Sequence, residues 1–562
     1  MTRNLRTILA TMILFLAAFS LLAADRPDLV VVISIDQFPY SYIERFQPYF
    51  SDGGFNRFLK KGADFQKARY TYATTYTGPA HAAIGTGRVP SASGIIGNSW
   101  FDRVAGSREY CVADARATPV DKLGGGMSPL NLASDSLGDR LQEKYPGAKV
   151  FGVSIKDRAA ILMAGRKATA AFWYDAGGPG FVSSSYYRID ETLRQLLAGY
   201  NHAVPDYVKA HPVWEQSGFI PAADLERLTH DPEKLRQYKT QREGVGVAFP
   251  HPIKGAEALT YTPFGNGLVF GFVEQLIDAE HLGTDDGQPD LVYLSLSSPD
   301  YLGHSFGPDS LEVADTVVRT DRDLASFLDH LEQKFGKRVT VALTADHGVQ
   351  SIPEVAKDMG RDAGRLDMRD PGANVRTFAE LGDGRRQLEK TVAKKLGLHA
   401  TDKTPIEHGL ILAFEEPGLY LNWVRIRELK LSGELVKRVV RDAARTLPGV
   451  SGAFTDSELL SMNRDPAELE AAVRRSFRAD RSGDVLVTLR PGWIWSYGPT
   501  GTTHGQPVEA DQHVPVMLWG AGGKPGAYEN EAAPTDLART LGSLLGVQAG
   551  GPDTQVLPCV SP

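Results

Sequence analysis

The segment DLVVVISID (residues 28–36) is a run of mostly β-branched residues that ends in an aspartate. This pattern is typical of a strand buried on both faces of a parallel sheet. It recurs in residues 149–155, 290–296, 338–346 and 514–520, and helical patterns such as 310–335 and 534–545 lie between or after these segments. The alternation predicts an α/β fold with a mostly parallel central sheet flanked by helices. Sheets of this kind place their chemistry beyond the carboxyl ends of the strands.

Two stretches interrupt the alternation. Residues 200–262 are rich in His, Pro, Tyr and charge, and residues 370–480 carry helical patterns between short strands. We interpret both as insertions that form a cap over the sheet. The sequence thus predicts one catalytic domain, residues 25–562, whose core is discontinuous along the chain.

The first residues resemble an export signal. Arg3 and Arg6 precede an almost uninterrupted apolar run, residues 8–24, as in a secretory signal peptide. We therefore predict that residues 1–24 are removed and that the mature chain is periplasmic or secreted, without a stable membrane anchor. A retained anchor is the alternative, although the run is at the short end of the roughly 17–25 residues that span a bilayer.

Composition narrows the function classes. The content of 42% hydrophobic and 23% charged residues is that of a folded soluble protein. A formal net charge of −7 provides no basic field, so nucleic acid is not an expected partner. Cys111 and Cys559 could form a bridge in an oxidising compartment, but nothing in the sequence requires one.

Acidic and histidine side chains follow the predicted strands. They are Asp36, the pair Asp300 and His304 four positions apart, the adjacent Asp346 and His347, and the distant His504. Each motif alone is more often a turn or a helix cap. Because imidazole and carboxylate together suit zinc, the combination in one chain predicts a catalytic metal site.

At this point the sequence resembles a known family. Asp36, the segment TYTGPAH (residues 75–81), D-x-x-x-H (300–304), DHG (346–348) and HG (504–505) resemble, in order, the motifs of the alkaline phosphatase superfamily. The similarity is to its monomeric, PafA-like bacterial phosphatases with a threonine nucleophile. The resemblance implies a monomer with two Zn²⁺ per chain and Thr77 as both nucleophile and metal ligand. It assigns one zinc to Asp300, His304 and His504 and the other to Asp36, Asp346 and His347.

The local sequence around Thr77 agrees with that role. Gly78, Pro79 and the apolar residues after them predict the first turns of a helix, where a proline lacks no needed N–H. A threonine at a helix N-terminus can present phosphate to backbone N–H groups. A plain Thr N-cap is the alternative. We interpret His81, one turn further on, as a packing residue of this helix.

Three further residues bear on the ester that is cleaved. In the PafA-like enzymes an asparagine and a K-x-R pair contact the phosphoryl oxygens, so the resemblance assigns substrate binding to Asn98, Lys156 and Arg158. The alternative for Lys156 and Arg158 is an exposed, idle turn. A phosphate monoester carries more negative charge than a diester. The positive charges of Lys156 and Arg158 would therefore favour a monoester. The implied function is hydrolysis of small-molecule phosphate monoesters through a phosphothreonine intermediate.

Other functions remain open. Nucleotide pyrophosphatase/phosphodiesterases have similar metal motifs and a threonine nucleophile but lack the K-x-R pair, which makes a diesterase the runner-up. No C-x-P-x-R occurs at the nucleophile segment, which argues against a sulfatase. A non-catalytic scaffold would usually have lost ligands or the nucleophile, and here all are present.

Overall fold

The computed structural model describes residues 26–120, 126–178, 180–284, 287–369, 376–461 and 466–560. The predicted signal peptide, residues 1–24, lies outside the described residues. Within the described ranges, no helix combines the length and the apolar character needed to cross a membrane.

Strands are numbered in chain order. They are β1 Leu29–Ile35, β2 Ala63–Ala68, β3 Ser99–Asp102, β4 Ser107–Tyr110, β5 Val150–Ser154, β6 Ala170–Asp175, β7 Gly180–Val182, β8 Val213–Trp214, β9 His251–Pro252, β10 Asp290–Leu296, β11 Val339–Thr344, β12 Gly364–Leu366, β13 Ile411–Glu415, β14 Gly418–Leu421, β15 Val450–Thr455, β16 Val485–Leu489, β17 Trp493–Trp495, β18 Val516–Gly520 and β19 Gly526–Ala532.

The α-helices are numbered in the same way. They are α1 Tyr40–Phe46, α2 Phe55–Lys61, α3 Thr77–Thr86, α4 Pro90–Ser93, α5 Leu137–Lys144, α6 Asp157–Ala164, α7 Glu191–Ala210, α8 Ala222–Leu228, α9 Pro232–Arg236, α10 Ala256–Thr260, α11 Phe264–Ala279, α12 Ser298–Phe306, α13 Leu311–Phe335, α14 Pro353–Asp358, α15 Asp383–Lys395, α16 Trp423–Glu428, α17 Gly433–Ala444, α18 Asp456–Leu460, α19 Glu468–Ser476, α20 Glu509–Gln512 and α21 Asp536–Leu545.

The large sheet has nine strands in the order β19-β2-β18-β11-β1-β10-β5-β6-β7. Five consecutive strands, β11-β1-β10-β5-β6, are parallel to one another. Every residue of β1 is buried, and alternate side chains face opposite sides: Leu29 and Val31 join one apolar cluster, whereas Val30 joins the other. Because a strand covered on both faces needs apolar residues at every position, the run 28–36 forms its strand there. The α/β prediction is confirmed.

One strand runs against the prediction. Residues 514–520 were expected to form a parallel strand, but β18 pairs antiparallel with both β11 and β2, so this expectation is wrong. The chain reaches β18 from the carboxyl edge of the sheet, where Gly348 N donates to Asp511 O and Tyr40 N donates to His513 O. A strand that starts at that edge must run opposite to β11.

The first inserted stretch is anchored to the long helix α13 by buried groups. Trp214 on β8 stacks on His251 of β9, with ring centroids 4.9 Å apart. Glu312 of α13 accepts from Lys239 Nζ at 2.6 Å and lies 3.2 Å from His251 Nε2. All three charged or titratable side chains are buried, so each requires the others as partners.

The second inserted stretch contains its own antiparallel sheet, β13-β14-β16-β15, and its own apolar cluster. Helices α15 and α17 pack on this sheet through Leu388 and Val436. A cap role for the two stretches stays a prediction. Cys111 and Cys559 are both buried and are not joined to each other.

Candidate active site

Four neighbouring strands deliver charged side chains to one edge of the sheet. In spatial order these are β11, β1, β10 and β5, and the residues just beyond their carboxyl ends include Asp346, Asp36, Asp300 and Lys156. All four side chains are buried. The sheet therefore concentrates three carboxylates and one ammonium in a single crevice.

Asp36 lies at the centre of this crevice. Ser295 Oγ donates to its Oδ1 at 2.5 Å, and His81 Nε2 lies 3.3 Å from the same oxygen. Lys156 Nζ lies 3.0 Å from Asp36 Oδ2 and 2.5 Å from Asp300 Oδ2. Burial would raise the pKa of Asp36, but Lys156 and His81 outweigh it and hold that pKa well below its usual range. The carboxylate is therefore ionised and able to bind a cation.

Gln37 orders the other two carboxylates. Its backbone N–H donates to Asp346 Oδ1 at 3.0 Å, and its Nε2 donates to Asp300 Oδ1 at 2.6 Å. Gln37 has φ of 59°, which is rare for a residue with a side chain. Gly303 leaves room for it, because a Cβ there would lie 1.9 Å from Gln37 Oε1. Sequence reasoning missed Gln37, whose only signal is its position after Asp36.

Helix α3 presents Thr77 to the crevice. The helix begins at Thr77, and Tyr76 is its N-cap residue, with extended backbone and no side-chain cap. Interpreting Thr77 as a plain N-cap is therefore wrong. Gly78 N donates to Asn98 Oδ1 at 2.7 Å, so the Asn98 amide group is fixed beside the helix N-terminus with its N–H₂ left to donate elsewhere.

Three histidines are fixed through Nδ1 by backbone carbonyls. His304 Nδ1 pairs with Thr502 O at 2.8 Å, and His504 Nδ1 pairs with Thr75 O at 2.8 Å. His347 Nδ1 lies 3.0 Å from Gly348 O. Since a carbonyl accepts but cannot donate, each Nδ1 carries the proton and each Nε2 keeps a lone pair. Histidines that bind metals are commonly oriented in this way.

Two of these Nε2 atoms lie close to carboxylate oxygens. His347 Nε2 is 3.1 Å from Asp346 Oδ2, and neither atom has a hydrogen-bond partner in the described part of the chain. His304 Nε2 is likewise 3.1 Å from Asp300 Oδ1. Two acceptors that face each other in a buried site require a cation or an added proton between them. The donor set of carboxylate oxygens and imidazole nitrogens fits zinc.

Among the described residues, two buried groups have geometry that could hold a metal ion: Asp300, His347 and His504 in one, and Asp36, His81 and Asp346 in the other. The resemblance placed His347 in the second group and His304 in the first. The structure brings His81 into the second group, although the sequence analysis gave it only a packing role. His81 Nδ1 donates to Thr77 O, 2.8 Å away.

The K-x-R pair points into the crevice. Lys156 directly precedes α6, and Arg158 lies in its first turn. Arg158 Nη2 donates to Thr77 Oγ1 at 3.4 Å and Nη1 donates to Tyr110 OH at 3.3 Å. Tyr110 OH in turn donates to Asp157 Oδ1 at 2.5 Å. An exposed, idle turn at residues 156–158 is excluded.

Neighbouring groups in the crevice keep Lys156 and Arg158 protonated. Burial would lower the pKa of Lys156, but Asp300 and Asp36 raise it above its usual value. The same holds for Arg158, whose pKa is raised by the neighbouring Tyr110 and Asp157 against the effect of burial. Tyr110 is a further residue of the site that sequence reasoning did not identify. Its hairpin, β3-β4, follows Asn98 directly.

Comparison with known proteins agrees with this fold and site. Residues 30–512 match the family described as type I phosphodiesterase / nucleotide pyrophosphatase. The chain belongs to this family and is an alkaline-phosphatase-like hydrolase of phosphoesters.

Within that class it is similar to two bacterial alkaline phosphatases. Alkaline phosphatase PafA of Elizabethkingia meningoseptica is 31% identical, with 95% of each chain covered. Alkaline phosphatase PhoV of Synechococcus elongatus is 32% identical, covering 93% of this chain and 90% of PhoV. The crystal structure of wild-type PafA matches with a TM-score of 0.82 and 29% identity, covering 95% of this chain and 99% of PafA. A PafA variant with a threonine, an asparagine, a lysine and an arginine substituted gives the same score. The predicted resemblance is confirmed.

Proposed function

We propose that this protein is an exported, monomeric alkaline phosphatase that hydrolyses phosphate monoesters through a phosphothreonine intermediate on Thr77. Zinc would be held by Asp36, His81, Asp300, His304, Asp346, His347 and His504, with Thr77 as a further ligand. When bound, two zinc ions would lower the pKa of the Thr77 hydroxyl and offset the charge of the phosphoryl group.

The reaction has two balanced steps. The Thr77 oxygen, after losing its proton, forms a bond to phosphorus while the bond to the ester oxygen breaks, and the leaving alcohol takes up a proton. Water then hydrolyses the phosphothreonine, which releases inorganic phosphate and restores the hydroxyl. In both steps the three non-bridging oxygens of the phosphoryl group keep their negative charge. Phosphoryl transfer depends chiefly on positive charge placed around those oxygens.

The observation that carries the proposal is the position of the Arg158 guanidinium. It is half-buried and lies 3.4 Å from Thr77 Oγ1, so a phosphoryl group attacked by that oxygen would be in direct contact with it. Lys156 adds a second cation, which is buried, and Asn98 Nδ2 adds a neutral donor. Such fixed donors act without reorganising during the reaction. A dianionic monoester gains more from them than a monoanionic diester.

The substituted PafA variant supports the same set of residues. That variant is substituted at a threonine, an asparagine, a lysine and an arginine, with the last two separated by two positions. Thr77, Asn98, Lys156 and Arg158 are the same residue types, and Lys156 and Arg158 have the same separation.

The family description keeps a phosphodiesterase as the second candidate. Arg158→Ala decides between the two when it is assayed on a phosphate monoester and on a diester with the same leaving group. We expect a loss of about 100-fold or more in monoester kcat/KM, as for removal of a fixed charge donor, and a much smaller loss for the diester. Equal losses would favour the diesterase. Arg445→Ala is the matched control, because that guanidinium donates to Ala453 O in the second inserted stretch and lies over the Phe454 ring.

A further inference from the structure

A cavity of about 360 Å³ opens beside the N-terminus of α3. Its lining includes Tyr76, Asn98, Phe414, Glu416, Trp495 and Tyr497. Pockets of roughly 300–1,000 Å³ are typical of small-molecule sites. None of the steps proposed above uses this cavity.

The cavity is continuous with the reaction site. Tyr76 directly precedes Thr77, and its ring lies 5.9 Å from the ring of His504. The ring packs on Gly505, where an added Cβ would lie 2.1 Å from a ring carbon. Asn98 belongs to both the cavity wall and the helix N-terminus. A group attached to a phosphoryl at Thr77 can therefore extend into the cavity.

The cavity presents one aromatic face at a fixed position. Tyr497 is 63% exposed although it is a large aromatic residue. Its hydroxyl donates in a short contact to Glu416 Oε1, and Glu416 Oε2 accepts from Tyr76 OH at 3.1 Å. One carboxylate thus holds two phenols, so the Tyr497 ring is fixed at its hydroxyl end while most of the side chain remains exposed. A planar ring of the substrate can stack on such a face.

The two arginines that line the cavity are each paired with a carboxylate. Arg108 Nε is 3.1 Å from Glu415 Oε2, and Arg369 Nη2 is 2.7 Å from Asp367 Oδ2. Arg369 Nη1 also donates to the backbone oxygen of Tyr497 at 3.1 Å. Because each guanidinium already has a carboxylate partner, the cavity offers no surplus charge for a second anionic group. Its chemistry favours an uncharged, planar occupant.

We propose that this cavity holds the leaving group of the ester and that Tyr497 selects planar aromatic leaving groups by stacking. The inference rests on the proposed function, because it assigns the part of the substrate that Thr77 releases. It makes Tyr497 a specificity-determining residue, and Glu416 a positioning residue that acts through Tyr497.

The test compares benzyl phosphate with cyclohexylmethyl phosphate. The two leaving alcohols are alike in size and reactivity, but only the first has a planar ring. We expect the wild type to prefer benzyl phosphate by about three- to tenfold in kcat/KM, the range that ring stacking provides. Tyr497→Leu, which keeps apolar bulk without a π face, should remove this preference. Tyr497→Phe should retain most of it.

Inorganic phosphate supplies the control for structural damage. Phosphate occupies the phosphoryl position alone, so its inhibition constant should be unchanged in Tyr497→Leu. Leu460 is exposed and lies outside the cavity, so Leu460→Ala should change neither the benzyl preference nor the inhibition constant of phosphate. A wild type without a benzyl preference, or an equal loss on both esters in Tyr497→Leu, would overturn this inference alone. Failure of the wild type to hydrolyse either ester would overturn the proposed function as well.

Discussion

Tyr110→Phe tests whether Arg158 must be held in place to act. The substitution removes a single oxygen, which accepts from Arg158 Nη1 at 3.3 Å and donates to Asp157 Oδ1 at 2.5 Å. Asp157 keeps its contact with the backbone N–H of Arg158 at 2.6 Å, so the turn itself remains bonded. The guanidinium, whose Nε has no hydrogen-bond partner in the described residues, keeps its contact with Thr77.

The expected magnitude follows from those contacts. A hydrogen bond to a charged group contributes about 1.5–3 kcal/mol, and we expect about half of that to appear as lost positioning. Each ~1.4 kcal/mol is a tenfold change in rate. The variant should therefore show about a tenfold lower kcat/KM on a phosphate monoester. The loss on a diester should be smaller, because Arg158 contributes less there.

The assay is a double-mutant cycle on both esters. If Tyr110 acts through Arg158, Tyr110→Phe should cost little more once Arg158 is already alanine. Tyr187→Phe is the matched control, since Tyr187 is a buried tyrosine whose hydroxyl has no hydrogen-bond partner in the part of the chain described. Fully additive losses, or an equal effect on monoester and diester, would refute the positioning argument.

Four further outcomes are expected. Thr77→Ala should abolish monoester hydrolysis without lowering the thermal midpoint, whereas Thr77→Ser should retain turnover; activity in Thr77→Ala would reject the nucleophile. Dialysis against a chelator should remove activity and lower the thermal midpoint by several degrees. Added zinc should restore both, because a ligand that binds only the folded state stabilises it. Metal analysis that finds no zinc in the purified protein would contradict the proposed zinc ligands. Burial raises the pKa of Glu416 from 4.5 to about 7, so the folded state binds this proton more tightly than the unfolded state does. The free energy of unfolding should therefore fall by about 1–2 kcal/mol as pH rises from about 4.5 to 7, after allowance for the partial exposure of Glu416. Glu416→Gln should flatten this pH dependence in denaturant titrations, and an unchanged dependence would contradict the role of Glu416. Gly505→Ala should lower the free energy of unfolding by about 1–3 kcal/mol, because φ is 102° and the new methyl group would meet the Tyr76 ring; a wild-type denaturation midpoint would contradict this.

The strands that position the site could be predicted because burial on both faces demands apolar residues at every position. Residues 290–296 form β10 with the predicted bounds. The direction of β18 could not be predicted in this way, since it depends on where the preceding loop enters the sheet. The cavity could not be predicted either, because it depends on a hydrogen bond between Tyr497 and Glu416, which are 81 positions apart in the sequence.

Within the site, motif residues were predictable and their supporting contacts were not. Asp300 and His304 are separated by one helical turn, and α12 does bring them together. Gln37 and Tyr110 belong to no motif, and their importance lies in hydrogen bonds to residues more than 40 positions away. His81 was given a packing role because a helix position alone does not show that its ring reaches Asp36.

The place of β18 has a consequence for how the protein matures. This strand comes near the end of the chain, yet it lies between β2 and β11, so the sheet has a gap until residues 516–520 have been synthesised. The loop that carries His504 precedes this strand, with only the short helix α20 between them, and closes the crevice at the same stage. Assembly that depends on such distant pairing is slow and cooperative. A chain that ends before residue 516 would lack this strand, and β2 and β11 would have no shared neighbour to join them.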